Sequence, residues 1–400
     1  MNVLTVSREY GAGGGEVARR LAEALGWELL DRELLHRAAA AEHVPDADLE
    51  RLDEQAIRLI DRFRLHPPHQ KYIHGLTEAV RQAAASGKVV LVGRGTRQLL
   101  GETPGACHLR LVAPRDWRAR RMAEREGWTM EQALARCEQV ERSRERFTRY
   151  FFGPDATRPE QYDLVVNTGR VPLDDVVAIT LSVVRGAGAD QPAAEGAGPR
   201  VLTLSRELGA CDGALLSKLG ARLSLRIYDR ELLEREAARL GVTRADLETV
   251  DEQPIGFFQR VGSGGLPQRY LEALRQILSE LADQGDVVLI GRGGNHVLRE
   301  HPRAYHVRLV APPDVRVQRI MGQHWVRAEI ARKMMGDSDT RRRRFTEHYF
   351  GHDWADPLEY HLTANAGRLG SSLVALLAVA TERLWTGPQG NTPGGRAGSE

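Results

Sequence analysis

Apolar positions along the first 185 residues switch repeatedly between two periods. Val3–Val6 is a short apolar run that ends in the glycine-rich turn SREYGAGGG. Apolar residues at 17, 18, 21, 22 and 25 then recur at helical spacing and predict a helix over 16–25. Residues 31–42, 46–62 and 71–86 also read as helices, whereas 88–93 and 107–112 have the near-continuous apolar character of strands buried on both faces. Thr129 with Gln132 is a capping-box arrangement, and it opens a long arginine-rich helix toward Tyr150. A last strand is expected over 163–166, and Pro172 with Asp174 and Asp175 opens a final helix. Strands alternating with helices predict an α/β protein with a parallel sheet covered on both faces.

The same pattern is then written a second time, at an offset of 198 residues. VLTVSREYGA at 3–12 returns as VLTLSRELGA at 201–210, DRELL at 31–35 returns at 229–233, and VVLVGRG at 89–95 returns as VVLIGRG at 287–293. Roughly 40% of residues 3–170 are identical to those 198 positions later with no gap, which marks a domain duplication rather than a short-period solenoid. The expected organisation is a first copy over 1–185, a flexible linker GAGADQPAAEGAGP over 186–199, a second, degenerate copy over 200–386 and a disordered tail over 387–400. A gapless duplication also predicts that the copies pack as an intrachain pseudo-dimer.

Composition narrows the function classes. The chain has 400 residues, too many for one compact core, and is 42% hydrophobic and 28% charged, a globular mixture. A net charge of +2 supplies no global field for gripping nucleic acid. Of 56 basic residues only Lys71, Lys88, Lys218 and Lys333 are lysines, so phosphate recognition would rest on guanidinium forks. Cys107, Cys137 and Cys211 form no CxxC, which fits a reducing cytoplasm and neither a zinc ribbon nor a disulfide scaffold. The N-terminus turns glycine-rich too early for a signal peptide, and the longest apolar run, 373–380, is far short of the ~20 residues of a membrane span. A cytoplasmic protein without membrane contact is expected.

The candidate chemistry begins at the first turn. Strand, glycine-rich turn and helix together aim backbone N–H groups and a helix N-terminus at an anion, so Gly11, Ala12, Gly13, Gly14, Gly15 and Glu16 form the candidate phosphate cradle. The full pattern GxxxxGK[ST] is absent. Gly14 stands at the lysine position and Glu16 at the Mg²⁺-ligating hydroxyl, and Arg8 is the candidate substitute for the lysine. In the second copy Cys211 and Asp212 replace Gly13 and Gly14. A carboxylate ~4 Å from a phosphate costs about 4 kcal/mol per unit charge at an effective dielectric of 20, so the second site is expected to be silent.

Other polar clusters recur. Asp31 and Arg37 return as Asp229 and Arg235, and either residue alone reads more readily as an N-cap aspartate or a solvated arginine. Arg94, matched by Arg292, follows a buried strand directly, where α/β folds bind ligands. Arg110, Arg118, Arg121, Arg144 and Arg146 all recur as arginine, although structural arginines would persist as well as functional ones. The histidines show no metal-ligand spacing, and no resident metal site is expected.

VSREYGAGGGEVARRLAEALG, LLDRELL, VVLVGRG and RFTRYFFG…YDLVVNTGRV resemble the cytidylate-kinase-like family of P-loop proteins across most of each copy. The resemblance implies two tandem P-loop kinase-like domains that move a phosphoryl group from ATP, with Mg²⁺, to a small nucleotide, CMP or dCMP favoured. It assigns Gly11–Glu16 to the donor phosphates and Asp31, Arg37 and Arg94 to the acceptor. Arg118 and Arg121 fall at the start of the lid, and Arg144 and Arg146 in the stretch that closes over the phosphates. Arg110 joins the acceptor set as the arginine of the LRLVAP strand. The family's GRD is Gly93-Arg94-Gly95 here. A tandem pseudokinase without turnover, acting as a nucleotide-binding or interaction module, is the competing expectation.

Overall fold

A computed structural model describes residues 1–31, 68–93, 95–186, 200–229, 238 and 266–386. The first copy runs β1 (Val3–Arg8), α1 (Gly14–Leu25), β2 (Glu28–Leu30), α2 (Pro68–Ser86), β3 (Val89–Val92), α3 (Thr96–Leu100), β4 (Ala106–Val112), α4 (Arg115–Glu126), α5 (Met130–Phe152), β5 (Leu164–Asn167) and α6 (Leu173–Arg185). The second runs β6 (Val201–Arg206), α7 (Gly213–Leu223), β7 (Arg226–Tyr228), α8 (Leu266–Gln284), β8 (Val287–Ile290), α9 (Gly294–Val297), β9 (Ala304–Val310), α10 (Pro313–His324), α11 (Ala328–Phe350), β10 (Leu362–Asn365), α12 (Ala366–Leu369) and α13 (Ser372–Thr386). Most of the helix expected over 31–42, all of that over 46–62, the linker from 187 and the tail from 387 lie outside the described residues.

The α/β class is the observed one, and the local signals act as their chemistry requires. Thr129 and Gln132 close both halves of the capping box at the start of α5, at 3.2 and 2.9 Å. The segments missed by periodicity, β2 and α3, are three and five residues long, too short to show a period.

All ten strands form one sheet, in the order β2-β3-β1-β4-β5-β10-β9-β6-β8-β7. Within each copy every pairing is parallel, and the copies meet through an antiparallel pairing of β5 with β10. That junction has a local twofold. Val165 lies opposite Thr363, its own equivalent 198 positions on, with Val166 opposite Leu362 and Leu164 opposite Ala364. Asn167 Nδ2 donates to the carbonyl of Leu358 at 3.0 Å, and Asn365 Nδ2 returns the bond to that of Glu160 at 2.9 Å. Above the strands α6 meets α13, and one apolar cluster joins Ile179 and Val183 to Leu373 and Leu377. The contact is isologous, the form a twofold dimer takes.

The polar side of the junction breaks the symmetry. Arg368, from α12, donates to Asp163 at 3.0 Å and also pairs with Glu102, which Arg97 holds from the other side at 2.6 Å. His361 replaces Asp163 in the second copy, and there the ring of His361 packs on Tyr305 and His306. His306 lies 2.8 Å from the hydroxyl of Thr203, as His108 does from that of Thr5. Burial, reinforced by nearby arginines, depresses these imidazoles: His108 to about 2, His306 to about 3 and His296 to about 4. His361 is held low by burial, by His306 and by Arg170.

Because the folded-state values lie below that of a free imidazole, this stability is complete above pH ~6.5 and is lost as the pH falls. Acidification from pH 7 to pH 5 should cost about 2 kcal/mol for each such histidine that unfolds with the global transition. Chemical denaturation at the two pH values checks this; equal midpoints would contradict it.

Candidate functional site

The parallel strands of the first copy end on one edge, and there β1 delivers the turn 9–13. Gly13 caps α1 at φ +85° with no side chain on the helix N-terminus, so the first amides of the helix are open. A Cβ at Gly14 would sit 2.6 Å from Arg8 Cγ, so only glycine lets the turn close onto that side chain. Arg8 therefore runs against the position a P-loop lysine would hold, and its guanidinium reaches Asp31 at 3.4 Å. Thr168 braces the turn by donating to the carbonyl of Ala12 at 3.0 Å.

Helix α5 is latched onto the same turn. Glu141 accepts from the amide of Tyr10 at 3.1 Å, and Arg144 donates to the carbonyl of Arg8 at 3.0 Å while lying 5.6 Å over the Tyr10 ring. Glu16, on the first turn of α1, is paired with Arg20 and Arg121, and Arg121 lies over the Trp117 ring. Arg110 leaves β4 half-buried and rests 5.6 Å over Tyr162.

Arg118 belongs to the interior. It donates to the carbonyls of Ala113 at 2.9 Å and Tyr10 at 3.1 Å, and its guanidinium faces Glu9 at 3.4 Å and Glu141 at 3.6 Å. Glu9 in turn accepts from the amide of Ala113, and burial holds its carboxyl above the usual range against the pull of Arg118. Arg146 is exposed. Thus Arg8, Asp31, Arg121 and Arg144 gather around the turn with Gly11–Glu16, Arg118 lies beneath it, and Arg37 and Arg94 lie outside the described residues.

The second copy builds the same frame differently. Asp212 caps α7, its carboxylate accepting from the amide of Leu215 at 2.8 Å, so an anion already sits on the helix N-terminus. Arg316 repeats the buried role of Arg118, facing Glu207 at 3.3 Å and Asp339 at 2.8 Å. Arg319, the counterpart of Arg121, has no glutamate to meet and donates to the carbonyls of Gly209, Ala210 and Ala366.

The fold also assembles a group that spacing did not reveal. His296, His352 and Glu359 bring donor atoms within 4.8 Å of one another. Arg299 pairs with that glutamate and lies 3.3 Å from His352 Nε2, so the carboxylate already faces a cation. The three residues come from α9, the loop after α11 and the turn before β10, which is why no local motif marks them. Among the described residues no helix is long and apolar enough to cross a membrane.

The doubled α/β unit thus carries, at the strand ends of its first copy, a glycine-rich turn and an uncapped helix N-terminus of the kind that can take an anion. Both copies match the model of the cytidylate kinase-like family, over residues 3–170 and 201–368, and the chain belongs to that family. It is 30% identical over 181 residues to a cytidylate kinase of Pyrobaculum aerophilum, covering 45% of this chain and 91% of the relative. A cytidylate kinase of Methanothrix thermoacetophila is 28% identical over 184 residues, covering 46% and 98%. Among solved structures, a shikimate kinase from Bacteroides thetaiotaomicron aligns with 46% of this chain and 98% of its own, at 12% identity and a TM-score of 0.30.

Removing the Arg118 side chain leaves Glu9 buried without its cation, so R118A should lose about 3–5 kcal/mol of stability. R146A, on the exposed face, should leave the melting temperature unchanged. Parallel thermal melts check both, and an R118A melt equal to the parent's would contradict the structural role.

Proposed function

We propose that the first copy transfers a phosphoryl group from ATP to a nucleoside monophosphate, with CMP or dCMP favoured, and that the second copy does not turn over. The observation that carries this reading is the contrast at the two helix N-termini: open beneath Gly13, capped by a carboxylate at Asp212. In this reading the amides of Gly11–Glu16 hold the donor phosphates, and Arg8 supplies the charge that a P-loop lysine would bring. Arg121 and Arg144 neutralise the transferring group, with Arg146 closing from α5. Asp31, Arg37, Arg94 and Arg110 take the acceptor, and Arg118 is a positioning residue acting through Glu9 and Glu141. Catalysis is then positioning plus electrostatics, as phosphoryl transfer generally requires.

Mg²⁺ enters this scheme with the nucleotide. The described carboxylates of the turn are each engaged by arginine: Glu9 by Arg118, Glu16 by Arg20 and Arg121, Asp31 by Arg8. They form no cage for a resident ion, and phosphate oxygens and water suit its coordination. We further propose units at 1–185 and 200–386, with 186–199 as linker and 387–400 as tail. Their pairing is the intrachain counterpart of a twofold dimer, supported by the self-equivalent register of β5 and β10.

A coupled assay with ATP and a panel of CMP, dCMP, UMP and AMP tests the reading. Transfer to CMP or dCMP is expected, R8A should lower kcat at least 100-fold, and D212A should leave the rate unchanged. No transfer to any acceptor, with ATP still bound, would replace the reading with a non-catalytic nucleotide-binding module.

A further inference from the structure

The two copies differ most in what their matching arginines touch. In the first copy Arg110 lies 5.6 Å over the Tyr162 ring and Arg144 5.6 Å over the Tyr10 ring, two separate aromatics. In the second copy their equivalents, Arg308 and Arg342, both lie over one ring, that of Trp354, at 4.6 and 5.9 Å. Trp354 occupies the position of Ala156, and Leu208 that of Tyr10. The aromatic surface has moved from the phosphate turn to the loop that follows α11.

The indole is held as a bound molecule would be. Its Nε1 donates to Ser205 at 2.8 Å, the equivalent of Ser7, and the side chain is 5% exposed. Arg308 donates to Glu207 Oε1 at 2.9 Å and to the carbonyl of Ala355 at 3.4 Å, while its Nε and Arg342 Nη1 are buried with no hydrogen-bond acceptor and both guanidinium groups lie over the indole. Arg308 is fully buried, whereas Arg110 is half-buried. One methyl group, that of Ala156, stands in the first copy where the second has an entire bicyclic ring.

We propose that Trp354 is a built-in plug, filling between Arg308 and Arg342 the space that the first copy keeps between Arg110 and Arg144 for a phosphate-bearing ligand. Only the identity of the first copy's ligand rests on the proposed phosphotransfer. The second copy is thus closed twice, by Asp212 at the helix N-terminus and by Trp354 at the arginine end. Removing the indole exposes the faces of two guanidinium groups, and because Arg316 shares Glu207 with Arg308, the arginines outnumber that carboxylate and favour a small phosphate anion.

Calorimetric titration of the full chain with inorganic pyrophosphate tests this. W354A should bind one more pyrophosphate than the parent, and adding R342Q should abolish the gain. The count is a difference, so it stands whether the parent binds one pyrophosphate or none, and independently of any transfer activity. An unchanged count in a W354A protein that melts cooperatively would overturn the plug. If W354A does not fold, the reciprocal exchange decides. Y10L/A156W transplants the second copy's constellation into the first, and should weaken its pyrophosphate binding at least tenfold while the melt stays cooperative. Undiminished binding would overturn the proposal.

Discussion

A four-residue strand cannot stand at the edge of a sheet with both faces buried and one row of amides unpaired. Strand β5 is such a strand: every residue of LVVN is buried, and β4 satisfies only one side. The antiparallel pairing with β10 supplies the other side, and most of what is distinctive in the molecule follows from it. It merges two parallel sheets into one and brings α6 against α13. It also carries Arg368 from one copy into the acidic pair Asp163 and Glu102 of the other. The route from the second copy to the turn after β3 is then two salt bridges long, through Glu102 to Arg97 on α3.

Buried charge is the second organising theme, and arginine suits it. Arg118 contacts two carbonyls and two carboxylates at once, a task for a planar fork rather than a point charge. The same device recurs at Arg316, and Arg97 makes three such contacts in a fully buried position. These groups fix the angle of α4 and α5 to the glycine-rich turn, so the geometry around Gly13 is set from below.

Much of this was legible in the chain itself. The α/β class, the duplication, the capping box at Thr129 and the turn over 11–16 each rest on local chemistry that repeats or has a fixed spacing. The roles of the arginines were not legible, because persistence at an offset of 198 has two causes. Arg118 persists as Arg316 for burial, whereas nothing in the structure explains why exposed Arg146 persists as Arg344. The approach of His296 to His352 and Glu359, and of Arg308 to Trp354, joins residues far apart in the chain, which no periodicity encodes. The antiparallel junction was legible only as symmetry, since the partner of an edge strand is a matter of docking.

Val165 against Thr363 marks the axis of the local twofold. In an assembly of two identical chains a residue on such an axis meets itself, and every substitution lands on both sides together. Covalent fusion releases that constraint: here a valine faces a threonine, and across the same seam an aspartate has a histidine for its counterpart. It also makes the association independent of dilution, because the partner's effective concentration is set by the tether and not by the amount of protein. One half can therefore specialise while the other remains its permanent scaffold.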